Sequence, residues 1–450
     1  MLSESLLQDL RIGVRVLVKE RAFCALAIAA LALGISAVTT QFTVVNGVML
    51  RGFSFPNAAR LMNVNFVDPT SATIFGVNGR MASMDVEELA AGQRSFERLA
   101  SFLSGSTVNV TVNGSPRRYD GAYVTEDFLK ILGIAPPLGR DFTAADNEPG
   151  APKVALISHG IWQRDFGGAA NIVGTPVHIN GAPATIIGVM PQGFSFPGRD
   201  QLWVPLYSEF PVLPRNDPRA PSPAVIGLIK GGVTPEQAQA EVTTFARRFA
   251  AAYPDTNKRF NAGQVQPLLQ AFTPLGLRGT LWTMLAFCVG VLLIACVNVM
   301  NMQFARATLR AKELAIRSAL GATRIRLVRQ MLTESLLVAA GGALLGVALA
   351  YFSSDWLNAT LHNMQQGPPD WMAFTLDPAV LGFTVLATLV AAIASGLLPA
   401  WMASRRSAAT VSPNLVNLSC GGRTETALPF LCIFLSEILN LQGQSHSKGL

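Results

Sequence analysis

The chain has 450 residues, half of them hydrophobic and only 14% charged, a balance that excludes a disordered chain and an ordinary soluble domain. The net charge of +7 does not imply nucleic-acid binding, because residues 51–277 hold 19 basic and 18 acidic groups and are nearly neutral. Five cysteines, at positions 24, 288, 296, 420 and 432, leave that region without a thiol and show no metal-ligand spacing, which excludes a disulfide scaffold and a cysteine metal site.

In chain order, residues 5–21 place Leu7, Leu10, Val14, Leu17 and Val18 near one helical face and Arg11, Arg15 and Lys19 on another. This pattern predicts an interfacial amphipathic helix on the cytoplasmic surface, over residues 1–21. No charge occurs from Ala22 to Leu50, which is too long for a cleavable signal peptide and long enough to span a bilayer. A retained signal-anchor over 22–50 is expected.

Residues 51–278 form the large polar insertion. RLMNVNF at 60–66 alternates as a strand, MDVEELAAGQRSFERLASF at 84–102 carries a helical pattern, and STVNVTVNG alternates again into an Asn-Gly turn. EDFLKILG predicts a short helix closed by Gly133, and VALIS followed by HGIWQRDFGG a strand running into a helix. In that reading His159 is a helix-start residue and no catalyst. TPVHINGAPATIIGVMP predicts a hairpin around Asn180 and Gly181, AVIGLIK a strand, residues 235–254 a helix with proline at its start, and QVQPLL a last strand. Asp141 and Asp146 suit the capping of turns. Strands with interspersed helices predict an α+β domain with βαβ elements and an inserted β-rich lobe.

Three further apolar stretches follow, over 279–305, 329–354 and 378–404. The chain is therefore an α-helical membrane protein with four transmembrane helices plus a large α+β extracytoplasmic domain. Gly342 and Gly346, four apart in the third span, suit close helix packing. The rival reading of GGALLG as a phosphate loop fails for want of a following lysine. Glu334, at the start of that span, suits the helix dipole and faces Arg329 or Arg326. The loop 355–377 carries Trp356 and Trp371, which suit an interfacial belt.

Between the second and third spans, Arg306, Arg310, Lys312, Arg317, Arg324, Arg326 and Arg329 face a single acid, Glu313. That excess assigns the loop 306–328, and with it both termini, to the cytoplasm, and the domain 51–278 to the far side. Leu309, Leu314, Ala315, Ile316, Ala319 and Leu320 recur at helical spacing before Gly321, so an amphipathic helix along the membrane face is predicted. Charge alone leaves two roles open for it, a topology signal or a docking element.

The run KELAIRSALGATRIRLVRQMLTESLL resembles the cytoplasmic signature of macrolide-exporter-type, MacB/FtsX-like permeases of ATP-binding cassette transporters. LALGISAVTTQFTVVNGVML resembles the first transmembrane helix of that family, and YVTEDFLKILGIAPPLGRDFTAADN with VALISHGIWQRDFGG its periplasmic core domain. The chain is similar to one half of the duplicated acidobacterial-type permeases. The resemblance implies a porter-like βαβ part with an inserted lobe, and a coupling helix in which Arg310, Lys312, Glu313, Arg317, Ala319, Leu320, Gly321 and Ala322 contact a separate ATPase subunit. It also implies a multi-pass protein of the bacterial inner membrane that transmits motion to its periplasmic domain, for export or efflux. A homodimer or a related permease chain, and partner proteins in the periplasm, follow from the same likeness.

No G-x-x-x-x-G-K-[ST] motif and no G-x-S-x-G elbow occurs, so the chain is expected to be non-catalytic, with no cofactor or metal of its own. The alternative is a membrane-anchored signalling or adaptor protein controlling envelope processes. Residues 405–450 depart from the family pattern, as an altered reading frame or a premature end would produce, and no function is read from them.

Overall fold

The computed structural model describes Arg15, residues 18–74, 76–112, 115–309, 324–362, 364 and 367–409. Four helices within it are long and apolar enough to cross a membrane: Arg21–Leu50, Leu275–Arg306, Met331–Leu361 and Pro378–Gly396. The first consists of α1 (Arg21–Val45) and a widened π-helical turn, Asn46–Leu50. It packs against each of the other three, and Leu31, Ile35 and Val38 are buried with Leu292, Val299, Val338 and Ala391 in the centre of the bundle. A helix with apolar side chains all round suits this central position.

After α1 the chain leaves the bundle and builds one sheet of ten strands, ordered β10-β1-β9-β2-β3-β8-β5-β7-β4, with β6 bridging β2 and β7. The frame is β1 (Leu61–Val67), α2 (Ser83–Gly92), β2 (Phe96–Val112), β9 (Ala224–Ile229), α5 (Pro235–Ala252) and β10 (Ala262–Pro267), after which the short helix α6 (Leu268–Phe272) returns the chain to the bundle. Strand β9 lies antiparallel between β1 and β2, and β1 lies antiparallel between β9 and β10. This is two interleaved split βαβ units, a ferredoxin-like arrangement. Everything from β3 to β8 is inserted between β2 and β9, whose pairing includes Phe102 opposite Ala224.

The inserted lobe comprises β3 (Ser115–Val124), α3 (Phe128–Leu132), β4 (Leu138–Gly139), β5 (Lys153–Ile157), α4 (His159–Phe166), β6 (Pro176–Ile179), β7 (Ala182–Val189) and β8 (Leu202–Pro205). Its joins are mixed, since β3 runs parallel to β8 and β5 parallel to β7, while β8 is antiparallel to β5. Asn180 and Gly181 both take positive φ, 51° and 82°, as a two-residue hairpin requires when its turn must follow the strand twist. Ser158 caps α4 by accepting the Ile161 N–H at 3.2 Å, which makes His159 the first helical residue.

Period-two alternation divides the β1 side chains between two cores. Met62, Val64 and Phe66 join Val86 and Leu89 of α2 and Val242, Ala246 and Phe249 of α5, whereas Leu61 turns to the opposite face with Phe128, Leu129 and Leu132 of α3. A third cluster fills the lobe, with Val110, Tyr119, Ile157, Ile161, Ile186 and Leu202. Two polar knots fix the periphery. Arg215 pairs with Asp85 at 2.5 Å and with Glu88 at 2.7 Å and lies 3.9 Å over the Tyr253 ring. Arg140 reaches Asp146 through two N–H groups at 2.6 and 2.9 Å, and holds its carboxyl down to about 2.

Two local expectations are corrected. The helical pattern over 84–102 ends at Gly92, and Phe96 onward is strand β2. A side chain at Gly92 would meet the Phe245 ring at 2.9 Å, and Phe96, Ala100 and Phe102 find a pairing partner in β9, so tertiary pairing overrides a local helical spacing. Of the two tryptophans assigned to a membrane belt, Trp356 is 69% exposed but Trp371 turns inward against the core domain. The amphipathic helix over 1–21 lies almost entirely outside the described residues, as do the Asn113-Gly114 turn and residues 410–450 of the tail.

Candidate functional site

The expected coupling residues Arg310, Lys312, Glu313, Arg317, Ala319, Leu320, Gly321 and Ala322 all lie outside the described residues. The structure describes the helix ends flanking the basic loop, the packing inside the bundle, and the joint with the core domain. The second span belongs to α7 (Leu275–Leu309), the third to α8 (Arg324–His362) and the fourth to α9 (Pro378–Ala409).

At the end bearing the basic loop, Arg306 on α7 contacts Glu20, one residue before α1, at 2.5 Å and Glu334 on α8 at 3.5 Å, with its guanidinium 4.9 Å over the Phe23 ring. With the Arg306 side chain only 13% exposed, removing either carboxylate leaves a largely buried charge less compensated, which costs more than breaking a surface ion pair. Glu334, assigned from the sequence to Arg329 or Arg326, thus reaches across the loop to Arg306. One turn away, Ser335 donates to Gln303 Oε1 at 3.1 Å, and a side chain at Gly396 of α9 would meet the Ser335 hydroxyl at 2.5 Å.

In the middle of the bundle, a Cβ on Gly342 would lie 2.8 Å from Leu31 Cβ, and one on Gly346 would lie 3.0 Å from the Ala32 carbonyl oxygen. Both glycines thus set the closest approach of the third span to the first. Gly34 does the same toward the second span, with Leu292 Cδ1 at 3.0 Å. Thr39 and Thr384 hydrogen-bond at 3.1 Å, and the rings of Phe42 and Phe383 stack at 3.9 Å, joining the first span to the fourth.

At the opposite end the spans meet the core domain. Asn46 donates to Asp377 Oδ2 at 2.6 Å, and Asp377 Oδ1 accepts the Val380 N–H at 2.9 Å, so one carboxylate caps α9 and ties it to the first span. Arg51 donates to Thr375 at 2.9 Å. Trp371 lies 4.5 Å from Phe53 and 5.5 Å from Phe272 by ring centroids, and Phe53 lies 5.4 Å from Phe196 of the lobe. Arg199 pairs with Asp370 at 3.4 Å, and the Gly198 carbonyl accepts the Asp370 N–H at 3.4 Å. The short loop before the fourth span is therefore a third attachment of the core domain, besides the chain's own entry at Arg51 and exit at Leu275.

Among the described residues no three His, Cys, Asp or Glu side chains cluster as a metal site. What the arrangement offers is contact: the spans approach closely at Gly34, Gly342 and Gly346 and are tied at one end to Glu20 and at the other to the core domain. Sequence reading missed Glu20, Asn46, Asp377 and the inward role of Trp371. Asp377 had a signal, an aspartate directly before a proline that opens a helix; Glu20 and Asn46 had none, since their partners lie hundreds of residues away.

Two family models match the chain, the MacB-like periplasmic core domain over residues 24–245 and the FtsX-like permease C-terminal domain over residues 285–408. The chain belongs to the MacB/FtsX-like permeases of ATP-binding cassette transporters. The permease is 27% identical over 412 residues to the pyoverdine export ATP-binding/permease protein PvdT of Pseudomonas syringae pv. tomato, covering 89% of this chain and 58% of that one. It is 26% identical over 295 residues to the macrolide export ATP-binding/permease protein MacB of Salmonella paratyphi A, covering 63% of this chain and 41% of that one. The permease thus spans about half the length of these curated relatives. The periplasmic region of MacB from Actinobacillus actinomycetemcomitans is similar at 15% identity and a TM-score of 0.34, covering 50% of this chain and 91% of that one.

Proposed function

We propose that the chain is a non-catalytic permease subunit that transmits ATP-driven movement from a separate ATPase to the domain at residues 51–278, for export or efflux across the bacterial inner membrane. The observation that carries this reading is the continuity of the described contacts: Arg306 at the loop end, the glycine-spaced helices, and the Phe53–Trp371 joint form one packed path from the basic loop to the sheet domain. A packed path passes displacement because close-packed interiors do not compress. The ATPase docks on the cytoplasmic loop 306–328, whose signature residues Glu313, Arg317 and Gly321 make the contact, and both termini lie on that side. The absence of a phosphate-loop motif from these 450 residues supports placing hydrolysis in the partner. A second permease chain, identical or related, completes the membrane part, and proteins in the periplasm receive what the domain releases.

The test is co-purification of the full chain from its native membrane with an ATPase, followed by Glu313→Lys and Gly321→Pro. Loss of the ATPase with either substitution, at unchanged expression, is the expected result. Retention by both removes the coupling assignment. Deletion of the gene should raise sensitivity to a toxic compound; a change in envelope-enzyme activity without such sensitivity points instead to an adaptor.

A further inference from the structure

The path described above leaves one arrangement that helix packing alone does not require. Arg306 touches Glu20, which precedes the first span, and Glu334, on the opposite flank of the basic loop. The contact with Glu334 closes the base of a loop 28 residues apart in sequence, so the inner ends of the second and third spans cannot separate without breaking it. The contact with Glu20 is different in kind. It ties that closed base to the short stretch Val18–Glu20, which leads directly into the helix at the centre of the bundle. Phe23, on the first turn of that helix, receives the guanidinium on its ring, so the cation is seated on α1 from two sides.

From this we infer that Arg306 is a positioning residue that pins the segment before the first span to the base of the basic loop, so that displacement of the loop is delivered to α1 directly. The cation lies against both carboxylates and over the ring, so its charge is what all three contacts share. The consequence runs through the bundle. The first span touches all three others and leads into the core domain at Arg51, so a pull at Glu20 reaches the sheet through α1 as well as through the second span. This rests on the function proposed above for its source of movement, but the pin is a property of this chain alone and is tested without an ATPase.

The experiment is limited trypsin digestion of the detergent-solubilised full-length chain, with fragments identified by mass spectrometry. Cleavage after Lys19 and Arg21 reads release of the pinned segment; cleavage after Arg219, whose side chain is 81% exposed in the core domain, is the internal reference. Cleavage follows the population of the opened form when opening is fast. Arg306→Gln should raise the ratio of cleavage after Arg21 to cleavage after Arg219 several-fold, and Arg306→Lys, which restores the charge, should hold the ratio much closer to that of the unaltered chain. An unchanged ratio in Arg306→Gln overturns the inference. So does an equal rise in Arg306→Lys, which means that shape and not charge holds the segment. Should Arg306→Gln speed cleavage at Arg219 as well, the fold itself has loosened, and Glu20→Gln, which removes the same link from the other side, replaces it with the same two outcomes. With a co-purified ATPase present, Arg306→Gln should preserve hydrolysis while abolishing the nucleotide-dependent change in protease sensitivity of the core domain. Failure to find any ATPase counts against the proposed function and leaves the cleavage ratio as the measure of the pin.

Discussion

Replacing Gly342 by alanine adds one methyl group where the third span crosses the first. That carbon would sit 2.8 Å from Leu31 Cβ and 3.4 Å from the Ala32 backbone nitrogen, atoms close to the main chain that cannot swing aside, so the helices must separate. Overpacking of this kind costs ~1–3 kcal/mol. Against it stands the gain of ~1 kcal/mol from replacing glycine by alanine within a helix, leaving a net loss of about 1 kcal/mol. Gly382 in the fourth span is the control, since a side chain there meets nothing within 4 Å. Gly382→Ala should therefore gain by up to ~1 kcal/mol, and the two variants should differ by about 2 kcal/mol with opposite signs. Gly342→Val, with two more carbons, should fall further. Denaturant titration in mixed micelles, followed by tryptophan fluorescence, reads these differences. If Gly342→Ala is stabilised as much as Gly382→Ala, the close approach of the two spans is wrong, and with it the packed path on which the transmission reading depends.

Two further outcomes separate strong contacts from weak ones. Trp371→Ala removes the ring between Phe53 and Phe272 and should cost about 2–3 kcal/mol, whereas Arg199→Gln, which loses a partly exposed ion pair and a hydrogen bond to the Met364 carbonyl, should cost about 1 kcal/mol; the same titration ranks them, and reversal of the order would mean that charge holds the loop on the core domain. Asp146 gives a pH signature. Arg140 and the Thr143 donors hold its carboxyl at about 2, below the ordinary 3.8, so its stabilisation is complete above the ordinary value and is lost as pH falls through the folded one. Arg140→Gln should bring the acid limb of the stability profile to higher pH, and an unchanged limb removes this ion pair from the account.

Much of the architecture was legible because each element announces itself locally. An uncharged run of twenty or more residues has few destinations other than a bilayer, and Thr234 before Pro235, Ser158 before His159, and Asn180-Gly181 fix helix starts and a turn through their own backbone chemistry. The failures share one cause, long-range pairing. Nothing within FERLASF distinguishes a helix from the strand that β9 makes of it, and nothing near Trp371 foretells Phe53, 318 positions earlier. The signature residues from Arg310 to Ala322 were read through resemblance, because a docking helix and a topology signal share the same charge pattern. Arg306 was counted there as one positive charge among seven; its particular use depends on Glu20 and Glu334, which the sequence leaves far apart.

The facing of Phe102 and Ala224 across one rung of the sheet has a consequence for how such a molecule can diversify. The whole lobe is a graft with its two sutures side by side, so it can be lengthened, shortened or exchanged while the host strands keep their register.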